Sequence, residues 1–228
     1  MKRSLIGALA LVVVGTVAVG AKVSSQEADR IRAAADVLGE MHGEPDKDIP
    51  HDLWAKAACV VVIPSLKKAA FGFGGEYGKG LMSCRHDGVW SGPVFMELEK
   101  GSWGFQIGGE SIDLVLLVMN ESGMRKMLQD KVSLGADASV AAGPIGRNAT
   151  ASTDGQMSAE ILSYSRAQGL FAGIDISGGV LRPDVDSNRD LYGRKLSARA
   201  VLTNGTKSPV ATEAFMTAVR REHTVAQR

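Results

Sequence analysis

CVVVIPSLKKAAFGFGGEYGKGLMSCRH, residues 59–86, holds the pattern that decides the fold. Cys59 to Ile63 is an unbroken apolar run halted by Pro64, the pattern of a buried strand. Strand-like runs follow at 70–77 and 80–86, separated by glycines rather than by helix-forming sequence. The chain holds 27 glycines against 7 prolines. Glycine is favoured where the backbone bends or where two backbones come close. That balance predicts a turn-rich sheet protein, not a helical bundle.

The pattern extends in both directions. Downstream, strand-like runs continue at 93–98, 103–108 and 112–119, the last (IDLVLLVM) being the most hydrophobic. Asn120 can cap a helix to about Gln129. Residues 132–140 alternate strictly between apolar or small and polar positions, and segments 145–154, 158–167 and 169–176 continue as strands. Upstream, Glu27 to Leu38 has helical spacing, and Pro50 suits the first position of a short helix. The C-terminal part returns to helix at about 194–202 and from Ser208-Pro209 to about Arg221. The expected fold is α+β: one domain with a strongly curved or barrel-like antiparallel sheet of many short strands and flanking N- and C-terminal helices. Two look-alike segments, FGGE at 73–76 and IGGE at 107–110, read as equivalent glycine-rich bends of that sheet.

Residues 1–21 form a separate unit. Lys2 and Arg3 precede an uncharged stretch that ends in the small residues Gly20 and Ala21, the layout of a signal peptide. An uncleaved membrane anchor is the rival assignment; residues 22–228 are the domain. Export places the protein in the periplasm, in solution or membrane-associated. There Cys59 and Cys84 are free to form a disulfide, although two buried thiols fit their apolar surroundings equally. Loss of Lys2 and Arg3 leaves a net charge of about −1. That charge gives no support for a nucleic-acid partner.

The motifs of catalysis are missing. No Gly-x-Ser-x-Gly elbow, no His-Glu-x-x-His pair and no complete phosphate loop occurs. Asp184 to Asp190 spaces its acidic oxygens like a calcium loop. Arg189 and Lys195 stand where glycine and glutamate are required, so a helix-capping loop is expected instead. We therefore expect no catalytic residues, no metal and no cofactor. The positive feature is Lys67-Lys68, which reads as a turn between an apolar strand and the glycine-rich segment, with Lys79 and Arg85 on the next hairpin. Cations flanked by Leu66 and Phe71 suit an anionic phospholipid headgroup at a membrane surface; a solvated turn is the plain alternative. Arg125-Lys126 is a weaker second candidate.

Five segments together resemble a bacterial SYLF domain: IPSLKKAAFGFGGEYGKG, WSGP at 90–93, GSWGFQIGGESIDLVLLVMN, KVSLGADASVAAGPIGR and YSRAQGLFAGIDISGG followed by LYG. The resemblance spans Ile49 to Phe215. It implies a β-rich fold with flanking helices, phospholipid binding and no catalytic residues, with actin binding in some eukaryotic members. Those members can begin with an amphipathic membrane-binding helix, where this chain has its signal-like segment and a short alanine-rich helix. That departure argues against phosphoinositide specificity, and export of a bacterial-type protein argues against actin as a partner. An envelope protein-interaction module without a lipid ligand is the alternative function.

Overall fold

The computed structural model describes residues 23–40, 48–71, 73–103, 108–146, 158–167 and 170–226. The signal-like segment and the 147–154 part of the expected strand at 145–154 lie outside them.

Helix α1 (Ser25–Gly39) starts where the sequence provides a capping box. The Ser24 side chain accepts the Glu27 N–H, and the Glu27 carboxylate accepts the Ser24 N–H at 2.7 Å. Short α2 (His51–Lys56) follows. The sheet then begins with β1 (Cys59–Phe71), β2 (Phe73–His86), β3 (Val89–Trp90), β4 (Val94–Trp103) and β5 (Gly108–Val118). After α3 (Glu121–Met127), capped by Asn120 as expected, come β6 (Val132–Ser133), β7 (Val140–Ala142), β8 (Ile161–Ala167), β9 (Leu170–Gly173) and β10 (Val180–Pro183). Helices α4 (Val185–Tyr192), α5 (Ala198–Thr203) and α6 (Glu213–Ala226) complete the chain, α6 preceded by a 3-10 turn at Val210–Thr212.

The strands form one curled, half-barrel sheet in the order β6-β10-β4-β2-β1-β5-β8-β7, with β3 beside β2 and β9 beside β8. The expected α+β architecture with helices at both ends is the one observed. Pairing is antiparallel except between β7 and β8, which run parallel, so the sheet is mixed. Strand alternation sends side chains to two faces, and both are buried. The outer face carries Val60, Val62, Leu81, Phe95 and Val115, covered by Ile31 and Leu38 of α1, Trp54 of α2 and Phe215 and Val219 of α6. The inner face carries Cys59, Val61, Met82, Met96 and Leu116, closed over by the curl of the sheet with Met127 of α3 and Leu202 of α5. Among the described residues no helix is long and apolar enough to cross a membrane.

Three expectations are corrected. Residues 132–140 are not one strand, because Gly135 turns the chain at φ +87° between β6 and β7. Asp184 does cap a helix, but that helix is α4, directly after it, which periodicity did not suggest. Pro64 does not end β1, which runs on to Phe71. The question left open for Cys59 and Cys84 is answered by a disulfide between residues directly opposite each other in β1 and β2.

Candidate functional site

The site begins with the way β1 passes Pro64. A proline inside a sheet removes a ladder donor and is accommodated at bulges. The pairing of β1 with both neighbours slips by one residue here: Val62 faces Leu81 but Lys67 faces Tyr77, and Ile63 faces Leu114 but Leu66 faces Ile112. Ser65 takes the strained position, at φ +52°, and its N–H donates to Asp113 Oδ1 at 2.9 Å in place of a strand carbonyl. Opposite the bulge only glycine fits. A Cβ on Gly80 would stand 1.9 Å from the Val62 carbonyl oxygen.

One extra residue reverses the facing of everything after it. Leu66 therefore points inward, and Lys67, opposite Tyr77, shares the outer face with Lys79 and Leu81. Lys68 lies on the inner face, in register with Glu76 on one side and Glu110 on the other. The expected turn bearing two adjacent lysines is thus a strand, and its lysines leave on opposite sides. The described parts of the two look-alike segments, 73–76 and 108–110, flank this same stretch of β1, with Gly75 and Gly109 both opposite Ala69; Ile107 lies outside the described residues.

Beside Lys67 lies an open groove of about 480 Å³ between the first turns of α1 and the bulge. Gln26, Asp29 and Arg30 form one wall; Pro64, Ser65, Lys67 and Tyr77 form the other, with Lys79 at the base. Lys67 is exposed and makes no ion pair with a described residue. Tyr77, 44% exposed, adds an aromatic surface to the same wall. Arg30, which sequence reasoning did not single out, stacks over the Phe95 ring at 5.3 Å with Nη1 3.8 Å from Asp184 Oδ2. No sequence pattern marks Arg30; only the tertiary packing of α1 shows what it meets.

Two of the other expected cations, Lys79 and Arg85, are engaged within the fold. Lys79 Nζ donates to Asp184 Oδ2 at 2.7 Å and lies 3.6 Å from Glu97. The hydrogen bond to Asp184 is the main reason its pKa is raised. For Asp184, burial pushes the carboxyl up, but hydrogen bonds from Lys79 and Ser187 outweigh it and hold the pKa below the ordinary value. This pair ties α4 to the sheet. Arg85, six residues and about 20 Å further along β2, donates to the Ala55 carbonyl at 2.9 Å, contacts His223 and lies over Trp90 at 5.9 Å. Burial lowers the Arg85 pKa; burial and then the Arg85 charge lower that of His223. The second candidate is committed too, since Arg125 pairs with Glu121 and Lys126 with Glu160. Of the four residues singled out, the structure brings Lys67 and Lys79 to one groove, and Lys67 alone of that pair is free of an ion pair with the described residues.

Comparison with known proteins fixes the lineage. Residues 99–222 match the model of the Ysc84 family, described as Las17-binding protein actin regulator. The chain belongs to the Ysc84, or SYLF, family. Among its SYLF relatives, LAS seventeen-binding protein 3 of Saccharomyces cerevisiae is 30% identical over 196 residues, covering 84% of this chain and 42% of the relative. SH3 domain-containing YSC84-like protein 1 of Homo sapiens is 31% identical over 189 residues, 80% of this chain and 55% of the relative. SH3 domain-containing protein PJ696.02 of Schizosaccharomyces pombe is 36% identical over 157 residues, 67% of this chain and 36% of the relative. The SYLF chain described here spans between about a third and just over half the length of these relatives.

Proposed function

We propose that this SYLF chain is an exported, non-catalytic protein that binds anionic phospholipid at a membrane surface, with Lys67 as the principal headgroup contact. The observation that carries the proposal is Lys67 itself: an exposed lysine without an ion pair to any described residue, beside an exposed tyrosine, at the lip of an open groove. An ammonium so placed is available to a phosphate, while Lys79 and Arg85 hold the fold behind it. Lys68 takes a secondary part from the other face. The disulfide and the signal-like N-terminus favour a site outside the cytoplasm.

Co-sedimentation with vesicles of phosphatidylcholine alone or mixed with phosphatidylglycerol tests this. The protein is expected to pellet with the mixed vesicles and weakly with the neutral ones. A cation near an anionic surface contributes about 1 kcal/mol, so reversing its charge in Lys67→Glu costs about 2 kcal/mol, an approximately thirtyfold loss of binding. Equal pelleting with both vesicle types, or wild-type behaviour of Lys67→Glu, removes the proposal.

A second function, a protein-interaction module without a lipid ligand, is favoured by the names of the relatives, which refer to binding of Las17. It predicts indifference to every vesicle and a stable partner in crosslinked extracts.

A further inference from the structure

Four neighbouring strands outrun the rest of the sheet. In the order β4-β2-β1-β5, pairing continues to Ser102 opposite Gly74, Gly74 opposite Ala70 and Ala70 opposite Gly108. The flanking strands stop short: β10 meets β4 no further out than Glu99, and β8 meets β5 no further out than Asp113. The last charged row of the inner face is Lys100, Glu76, Lys68 and Glu110, which lie side by side across the four strands. Beyond it, residues 69–71, 73–75, 101–103 and 108–109 carry no charge, and all are glycine, alanine or serine except Phe71, Phe73 and Trp103. The register sets those three at the far end, Phe71 opposite Phe73 and Phe73 opposite Trp103. From Lys68 to Phe71 the projection measures about 10 Å at 3.3 Å per residue.

We infer that this four-stranded tongue is the part of the protein that enters the membrane, end-on, with Lys67, Lys68, Lys100 and Tyr77 level with the lipid phosphates. The inference rests on the lipid-binding proposal and adds to it an orientation and a depth. A length of about 10 Å matches the burial of interfacial segments, which enter roughly 5–10 Å into the headgroup and acyl boundary. No charged residue has to leave water along that length, and aromatic residues favour the interface. The same geometry sets a limit. Beyond Glu99 and Asp113, β4 and β5 have no outer partner strand among the described residues, and unpaired edges are not tolerated in hydrocarbon. The tongue therefore stops at the interface. The charged row alternates in sign, so it contributes alignment rather than net attraction. Lys67, one step back on the outer face, supplies the preference for anionic lipid.

The tongue offers positions where a charge can be added without crowding. Gly101 is exposed, and a Cβ there meets nothing within 4 Å; Gly75 is exposed, and a Cβ there comes no nearer than 3.7 Å to another group. At the opposite end of β2, Val89 is 71% exposed and serves as the control. With phosphatidylcholine–phosphatidylglycerol vesicles, Gly101→Asp and Gly75→Asp are each expected to lower the partition coefficient at least tenfold. Val89→Asp is expected to bind like wild type, and thermal melting verifies that each variant is folded. Folded tongue variants that bind like wild type overturn the inference and leave the lipid proposal standing; a Val89→Asp loss as large as theirs overturns it too. A wild-type protein that ignores all vesicles removes both. If neither glycine variant folds, the unmodified protein decides. Trp54 and Trp90 are buried, so quenching of its tryptophan emission by nitroxide placed near the lipid headgroup is expected, and no quenching in the bound state overturns the inference.

Discussion

The two halves of β1 share one hydrogen-bonded ladder and do opposite things. From Cys59 to Ile63 every residue is fully buried, alternate side chains serving the two cores. From Lys67 onward the same strand presents cations, Lys67 exposed on the outer face and Lys68 half-buried on the inner one. Strand propensity does not separate the halves. One extra residue at the Pro64–Ser65 bulge does, because it exchanges the faces and brings Lys67 out beneath α1. A site has been made on a rigid strand by shifting register rather than by opening a loop.

The comparison breaks most visibly at Gly80. Gly80→Val would drive a side chain into the Val62 backbone, which cannot move without undoing the bulge. We expect a loss of about 4 kcal/mol, in the range reserved for a forced backbone displacement, read as a fall in the urea midpoint. A loss under about 1 kcal/mol would mean that the bulge is soft. The disulfide sharpens the contrast from the buried end. Replacing both Cys59 and Cys84 by alanine is expected to cost about 3 kcal/mol and keep the native circular dichroism. Because the pair sits in the buried half, vesicle binding by the folded double variant should equal that of wild type.

Most of the architecture was legible because it is written in local pattern. The apolar run at 59–63, the Asn120 cap, the helix at 27–38 and the proline-led C-terminal helix all carry short-range signals, and all appear. The misread parts depend on distant partners. Pro64 looks like a stop until Asp113 is seen to satisfy the N–H of Ser65, 48 residues before it. Lys67, Lys68, Lys79 and Arg85 look alike in the sequence. What separates them is supplied by Asp184 for Lys79 and by Ala55 and His223 for Arg85, none of which spacing could nominate. The projection of four strands past their neighbours is a property of register alone, invisible strand by strand.

The finest test compares two lysines on one face of one groove. Lys79→Met leaves Asp184 largely buried with Ser187 and a distant Arg30 contact, and is expected to cost about 2 kcal/mol at neutral pH. Lys67→Met removes no ion pair with a described residue and should change stability by less than about 0.5 kcal/mol. Acidity gives the comparison a sign. The Asp184 pKa is depressed in the folded protein, so its contribution is present above the unfolded carboxylate value of about 4 and fades as pH falls through the folded value. The Lys79 pKa is raised, so its contribution holds below the unfolded lysine value near 10.5 and fades as pH rises through the folded value. The gap between wild type and Lys79→Met in urea denaturation should therefore be widest between about pH 5 and pH 9 and narrow in stronger acid. The Lys67→Met curve should run parallel to wild type throughout. Parallel curves for both variants would mean that Lys79 is no more tied to the fold than Lys67, and that the groove holds two free cations instead of one.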